Sequence, residues 1–187
     1  MGTPDNAQAL KRGEYLIHAG RAAEAAAVFE EILATHPNDA NGLIGLGLAQ
    51  VRAGEHTAAE ATLRRCLRNA PHAVGASLVL GTLLGQQGRL SDAEAVMRAC
   101  VASTPDNGPA WHILGNSLHQ QGRYADAEAV YRRAVALMPN HAGLWDQFGD
   151  VLLRKGRASD AEDAFRKSRA LDPSAAAPLT NLGRILE

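Results

Sequence analysis

The side chains best suited to chemistry are His112, Asn116 and His119, followed by Asp146 and Asp150. Steps of four and three residues put the first three on one face of a helix. Asp146 and Asp150 stand 34 residues after His112 and Asn116, again one helical turn apart. Imidazole nitrogens and carboxylate oxygens at such spacing suit a divalent metal. Polar residues on an exposed surface account for the same pattern with fewer assumptions, so no metal is expected. Asp146 and Asp150 also form a carboxylate pair, but acid–base work needs surroundings that push two pKa values apart. Cys66 and Cys100 make neither a disulfide framework nor a metal-ligand set, and they read as small buried residues. No glycine-rich phosphate loop, Ser-His-Asp order or zinc-spaced cysteine set appears. The expectation is a protein that is not an enzyme and needs no cofactor.

Composition narrows the partners. Nineteen Lys and Arg against twenty Asp and Glu leave a net charge of −1 over 187 residues. A phosphate-neutralising protein carries a basic excess, so nucleic acid is not expected. The N-terminus, Met1 to Asn6, has neither a basic segment nor an apolar one, so no signal peptide is expected. Asn6 stands where a myristoylation signal wants Ser or Thr. The longest weakly polar run, 73–85, is too short to cross a bilayer, so no membrane contact is expected. These features together suggest a soluble, cytoplasmic protein. Apolar residues reach 46% while aromatics reach only 4%, a balance that favours closely packed helices over a β-sandwich.

Positioning any of these side chains falls to a repeat. Prolines recur at Pro37, Pro71, Pro105, Pro139 and Pro173, always 34 residues apart. Glycines keep the same step from Gly13 to Gly183 through Gly47, Gly81, Gly115 and Gly149. A second glycine series runs Gly20, Gly54, Gly88, Gly122 and Gly156, and alanines follow at Ala25, Ala59, Ala93, Ala127 and Ala161. The first glycines lie inside helical patterns, where the missing side chain lets two helices come close. Members of the second series separate two apolar-periodic segments and suit a left-handed helix stop. Each proline ends the second segment. Every unit therefore reads as helix, turn, helix, turn. Second segments begin acidic, as at Asp126 and Glu128, and end basic, as at Arg132 and Arg133. Helix dipoles favour that order, and a solvated outer face accounts for the charges.

Trp111, Leu114, Gly115, Leu118, Ala127, Tyr131 and Pro139 match the W-x2-L-G-x2-Y…A-x3-F…P pattern. Trp145, Phe148, Gly149, Leu152, Ala161, Phe165 and Pro173 follow closely. The unit resembles the tetratricopeptide repeat, and the resemblance covers residues 6–187. It is loosest in the first unit, where Ala9 and Arg12 occupy the Trp and Leu places. The resemblance implies an all-α, right-handed superhelical solenoid with five hairpins, at 6–39, 40–73, 74–107, 108–141 and 142–175. A half repeat or capping helix over 176–187 would complete this one domain. It also implies a scaffold that binds a protein or peptide along the concave face lined by the first helices.

Mapping that face gives Ile44, Leu48, Leu78 and Thr82 in the N-terminal half, and His112, Asn116, His119, Asp146 and Asp150 in the C-terminal half. The first half is apolar and the second polar and partly acidic, which would suit an amphipathic segment with a basic end. Some of Ile44, Leu48 and Leu78 could instead pack between repeats. Gly42, Gly45 and Gly47 crowd one first helix, and Gly75, Gly81 and Gly85 the next, so this part of the groove is expected to be adjustable. The carboxylate-clamp places of chaperone-binding relatives hold Leu10, Glu14, Gly45, Gly75 and Val79, so no clamp exists there. The asparagine ladder of O-linked N-acetylglucosamine transferases is also absent, because its column reads Lys11, Gly45, Val79, Ile113, Gln147 and Asn181.

Residues 176–187 restart the pattern with Leu179, Leu182, Gly183 and Leu186. Two readings follow: a fragment of a longer protein, which is favoured, or self-association through the C-terminal helix. Bacterial relatives with similar repeats can carry a sulfotransferase or glycosyltransferase domain. A substrate-recruiting array beside such a domain is therefore the alternative function.

Overall fold

The computed structural model describes residues 4–174, and side chains from Asn6 onward. Ten α-helices occupy them: α1 (Pro4–His18), α2 (Ala22–Thr35), α3 (Ala40–Ala53), α4 (His56–Asn69), α5 (Val74–Gln86), α6 (Leu90–Ser103), α7 (Gly108–Gln120), α8 (Tyr124–Leu137), α9 (Ala142–Arg154) and α10 (Ala158–Leu171). The helix expected over 176–187, and with it the edge expected to self-associate, lies outside the described residues. The chain divides into two compact units, residues 1–88 and 89–187. In the first, each helix packs on the next, and α3 also meets both α1 and α5. In the second, α6 to α10 again pack in sequence. The expected all-α hairpin architecture is present throughout the described residues.

The first glycine series explains how closely the helices approach. A Cβ at Gly13 would lie 2.4 Å from Phe29 Cζ, and one at Gly45 would lie 2.3 Å from Phe29 Cε1. The Phe29 ring, 1% exposed, thus fills the gap left by two glycines on different first helices. The same relation holds between Gly47 and Leu63, Gly115 and Tyr131, and Gly149 and Phe165. In these three pairs, as for Gly13, the large side chain comes from the second helix of the same hairpin; for Gly45 it comes from the hairpin before. The second glycine series ends the first helices: Gly54 has φ 81°, and no heavy atom crowds its missing Cβ. Its constraint is therefore conformational rather than spatial.

Caps and turn carbonyls fix where first helices start. Asp39 accepts from the Gly42 amide at 2.7 Å, Asn107 from Ala110 at 2.9 Å, and His141 Nδ1 from Leu144 at 3.1 Å. Ala73 holds the equivalent position before α5 and has no side-chain cap. Trp111 and Trp145 donate their indole N–H groups to the carbonyls of Pro105 and Pro139, both at 2.8 Å. Each tryptophan thereby ties its helix to the turn just before it. Cys66 directs its thiol at the Ala40 carbonyl, 3.7 Å away, and Ser168, three repeats on, donates to the Ala142 carbonyl at 2.9 Å.

Two acidic residues depart from the solvated outer face expected of them. Glu128 is 7% exposed and accepts from Lys155, from Arg157 at 2.6 Å and from Arg132 at 2.6 Å. The Lys155 hydrogen bond, opposed by desolvation and aided by Arg157, holds its carboxyl below the usual range. Glu94 takes Arg123 at 2.7 Å, Arg98 at 2.9 Å and Gln121 at 3.0 Å. These carboxylates join one hairpin to the turn of the next, where the repeat spacing brings cations within reach.

Replacing Gly45 with Ala should destabilise the protein even though alanine is the better helix former. Phe29 cannot retreat toward Gly13, so overpacking of about 1–3 kcal/mol outweighs a propensity gain of about 1 kcal/mol. A lower urea midpoint at unchanged slope is the expected result. Uncapped α5 should exchange its amides faster than α7, and Ala73→Asn should slow that exchange by supplying the missing acceptor. Uniform protection across both helices would contradict this.

Candidate functional site

In the first unit a surface groove of about 510 Å³ runs between the two first helices α3 and α5. Leu48, Val51 and Arg52 come from α3, and Leu78, Val79, Thr82, Leu83 and Gln86 from α5. Leu48 and Leu78 are half-buried and Thr82 is exposed, so apolar side chains and polar groups share one open surface. Ile44 does not line it. A Cβ on Gly75 would lie 3.2 Å from Ile44 Cδ1, which makes Ile44 a spacer seated over the glycine of α5. Three of the four apolar-half candidates, Leu48, Leu78 and Thr82, therefore sit together.

The polar candidates of the second unit are engaged with one another and their neighbours. His112 Nε2 lies 2.5 Å from Gln147 Oε1, and its ring stands edge-on to His141 at 5.3 Å between centroids. Burial holds the His112 imidazole below the ordinary histidine range, the Gln147 hydrogen bond opposing that shift and His141 adding to it. Asn116 accepts from the Tyr131 hydroxyl at 2.5 Å. Burial first, and the Asp150 carboxylate second, push that phenol upward. His119 Nε2 lies 2.9 Å from Asp150 Oδ2, which Arg154 also approaches at 3.6 Å. Asp146 is half-buried on α9 and also has an interaction partner. His112 thus turns to Gln147 and His119 to Asp150, so the two imidazoles do not converge on one point. Among the described residues no three His, Cys, Asp or Glu side chains gather as metal ligands would.

Cys66 and Cys100 are both buried, and burial raises the Cys66 thiol. Among the described residues no helix is long and apolar enough to cross a membrane.

Family models for the tetratricopeptide repeat match residues 10–74 and 78–142, and a second such model matches 118–186. The chain belongs to the tetratricopeptide repeat family. Among solved structures, a thermophilic tetratricopeptide protein from Thermus thermophilus is 22% identical, with a TM-score of 0.74, covering 97% of this chain and 98% of that one. MamA from Desulfovibrio magneticus is also 22% identical, with a TM-score of 0.78, covering 93% of this chain and 98% of that one. YrrB, described as a tetratricopeptide protein with an unusual peptide-binding site, is 18% identical at a TM-score of 0.75, covering 94% and 90%. At these identities the likeness concerns the fold. No curated protein matches.

Within this tetratricopeptide frame, sequence reasoning overlooked Val79 and Leu83 as groove residues and the roles of Gln147 and the Tyr131 hydroxyl. A signal existed for Tyr131. Its column reads Phe29, Leu63, Met97, Tyr131 and Phe165, so one member alone brings a hydroxyl that must find a partner. Val79 and Leu83 had no such mark, because the groove wall is set by how α5 turns against α3.

His112 gives the second unit a defined acid sensitivity. Its folded-state pKa lies below the unfolded value of 6.5, so its neutral ring contributes fully above that value. The contribution is lost as pH falls through the folded value. Denaturant midpoints measured from about pH 7 to about pH 5, the range where histidine titrates, should therefore decline more steeply for wild type than for His112→Gln. Equal slopes would show that the ring takes its proton without cost.

Proposed function

We propose that this protein is a non-catalytic scaffold that holds a protein segment or peptide in the groove between α3 and α5. The observation that carries the reading is the groove itself, with Leu48 and Leu78 half-buried on facing first helices and Thr82 beside them. Such a surface combines apolar area for affinity with polar groups for orientation, the usual make-up of a peptide-recognition groove. The peptide-binding site named for YrrB supports the same direction by likeness of fold. His112, Asn116, His119, Asp146 and Asp150 form a second, polar contact surface in this proposal. Asp150 already faces His119 and Arg154, which weakens the case for a basic ligand end there. The partner is protein rather than nucleic acid or membrane, and the setting is cytoplasmic. A recruiting role beside a transferase domain rests on family resemblance alone.

Affinity capture from a lysate of the source organism, read by mass spectrometry, tests the groove. Wild type would be compared with Leu48→Arg/Leu78→Arg after circular dichroism confirms unchanged helicity. Proteins held by wild type and lost from the variant are the expected result. Retention of the same proteins by both would move binding to another surface.

A further inference from the structure

The polar end of the groove narrows what kind of segment it takes, an inference that rests on the groove reading above. Repeat positions place Leu48 opposite Thr82 and Arg52 opposite Gln86, each pair 34 residues apart. Arg52 lies in the last turn of α3, and Gln86 is the last residue of α5. The groove is thus apolar toward Leu48 and Leu78 and polar toward Arg52 and Gln86. Arg52 is the single charged residue among those lining it.

Three other arginines of the first unit are already occupied. Arg21 pairs with Glu24 at 2.5 Å, Arg64 with Glu60 at 2.9 Å, and Arg65 donates to the Pro37 carbonyl. Arg52 is exposed, and among the described residues no acidic side chain lies within ion-pair distance of it. A guanidinium offers five N–H donors in a planar fork that matches a carboxylate. An anion arriving here would meet that fork without displacing an internal partner. Gln86 adds a neutral amide beside it.

We propose that the groove binds a peptide segment bearing an internal Asp or Glu about 5–6 Å, one helical turn, beyond its apolar anchor. The anchor rests on Leu48 and Leu78, and the acidic side chain meets Arg52. A side-chain carboxylate fits better than a chain terminus, because Arg52 is exposed at the end of the groove and the ligand backbone can continue past it.

The test is a phage-displayed random peptide library, displayed with no free C-terminus and panned in parallel against three full-length proteins. Wild type should enrich peptides with apolar residues followed by Asp or Glu. Arg52→Glu should keep the apolar positions and exchange the acidic one for Lys or Arg. Leu48→Arg/Leu78→Arg should enrich neither. A synthetic peptide of the wild-type motif should lose roughly tenfold or more in affinity on Arg52→Glu, the scale of a lost charge-assisted hydrogen bond. It should recover when its own acidic residue is changed to Lys. The same motif from wild type and Arg52→Glu would overturn the assignment of Arg52 and leave the groove standing. Binders retained by Leu48→Arg/Leu78→Arg would overturn the groove itself. A basic motif from wild type would overturn the proposal, and so would no enrichment at all.

Discussion

The structure depends on an absence: a side chain missing from one helix where a large one arrives from another. Phe29 sits against Gly13 and Gly45, Leu63 against Gly47, Tyr131 against Gly115, and Phe165 against Gly149. Glycine inside a helix weakens it, and the sequence accepts that penalty in repeat after repeat. The return is a fixed distance between helices, set by the thickness of a ring or an isobutyl group. Once that distance is set, the alanines at Ala25, Ala59, Ala93, Ala127 and Ala161 are fully buried, with no room for anything larger.

Spacing alone would not fix orientation, and polar contacts supply it. Tryptophan indoles reach the proline carbonyls before their helices, and Asp39, Asn107 and His141 hold first-helix amides. In the second unit Glu94 and Glu128 draw cations from neighbouring turns. A buried carboxylate with three donors is costly to disturb, since loss of the cations would strand its charge. The two units differ in this respect: the first leaves Arg52 unpaired beside its groove, whereas the second pairs Asp150 with His119 and Arg154.

The fold was legible because each marker records a local backbone demand that a single residue type meets. Gly54 at φ 81° and the prolines behind second helices need no partner to be interpreted. Glu128 was not legible in the same way. Its acidic position near the start of α8 fits the helix dipole equally well, and only the stacking of hairpins brings Lys155 and Arg157 to it. Ile44 and Leu48 illustrate the limit more finely. They lie one turn apart on the same helix, yet Ile44 covers Gly75 while Leu48 opens onto the groove. That distinction depends on the rotation of α3 against α5, which a periodic pattern does not encode. The separate partners of His112 and His119 likewise depend on how α7 and α9 face each other.

Cys66 and Cys100 are enclosed, one in each compact unit, at equivalent positions of neighbouring repeats. A thiol kept from water is out of reach of oxidants or alkylating reagents. While both units are closed the protein is therefore chemically silent at its thiols. Each thiol becomes reactive only when the helices around it part, so the molecule carries a natural pair of tamper seals, one for each half of its chain.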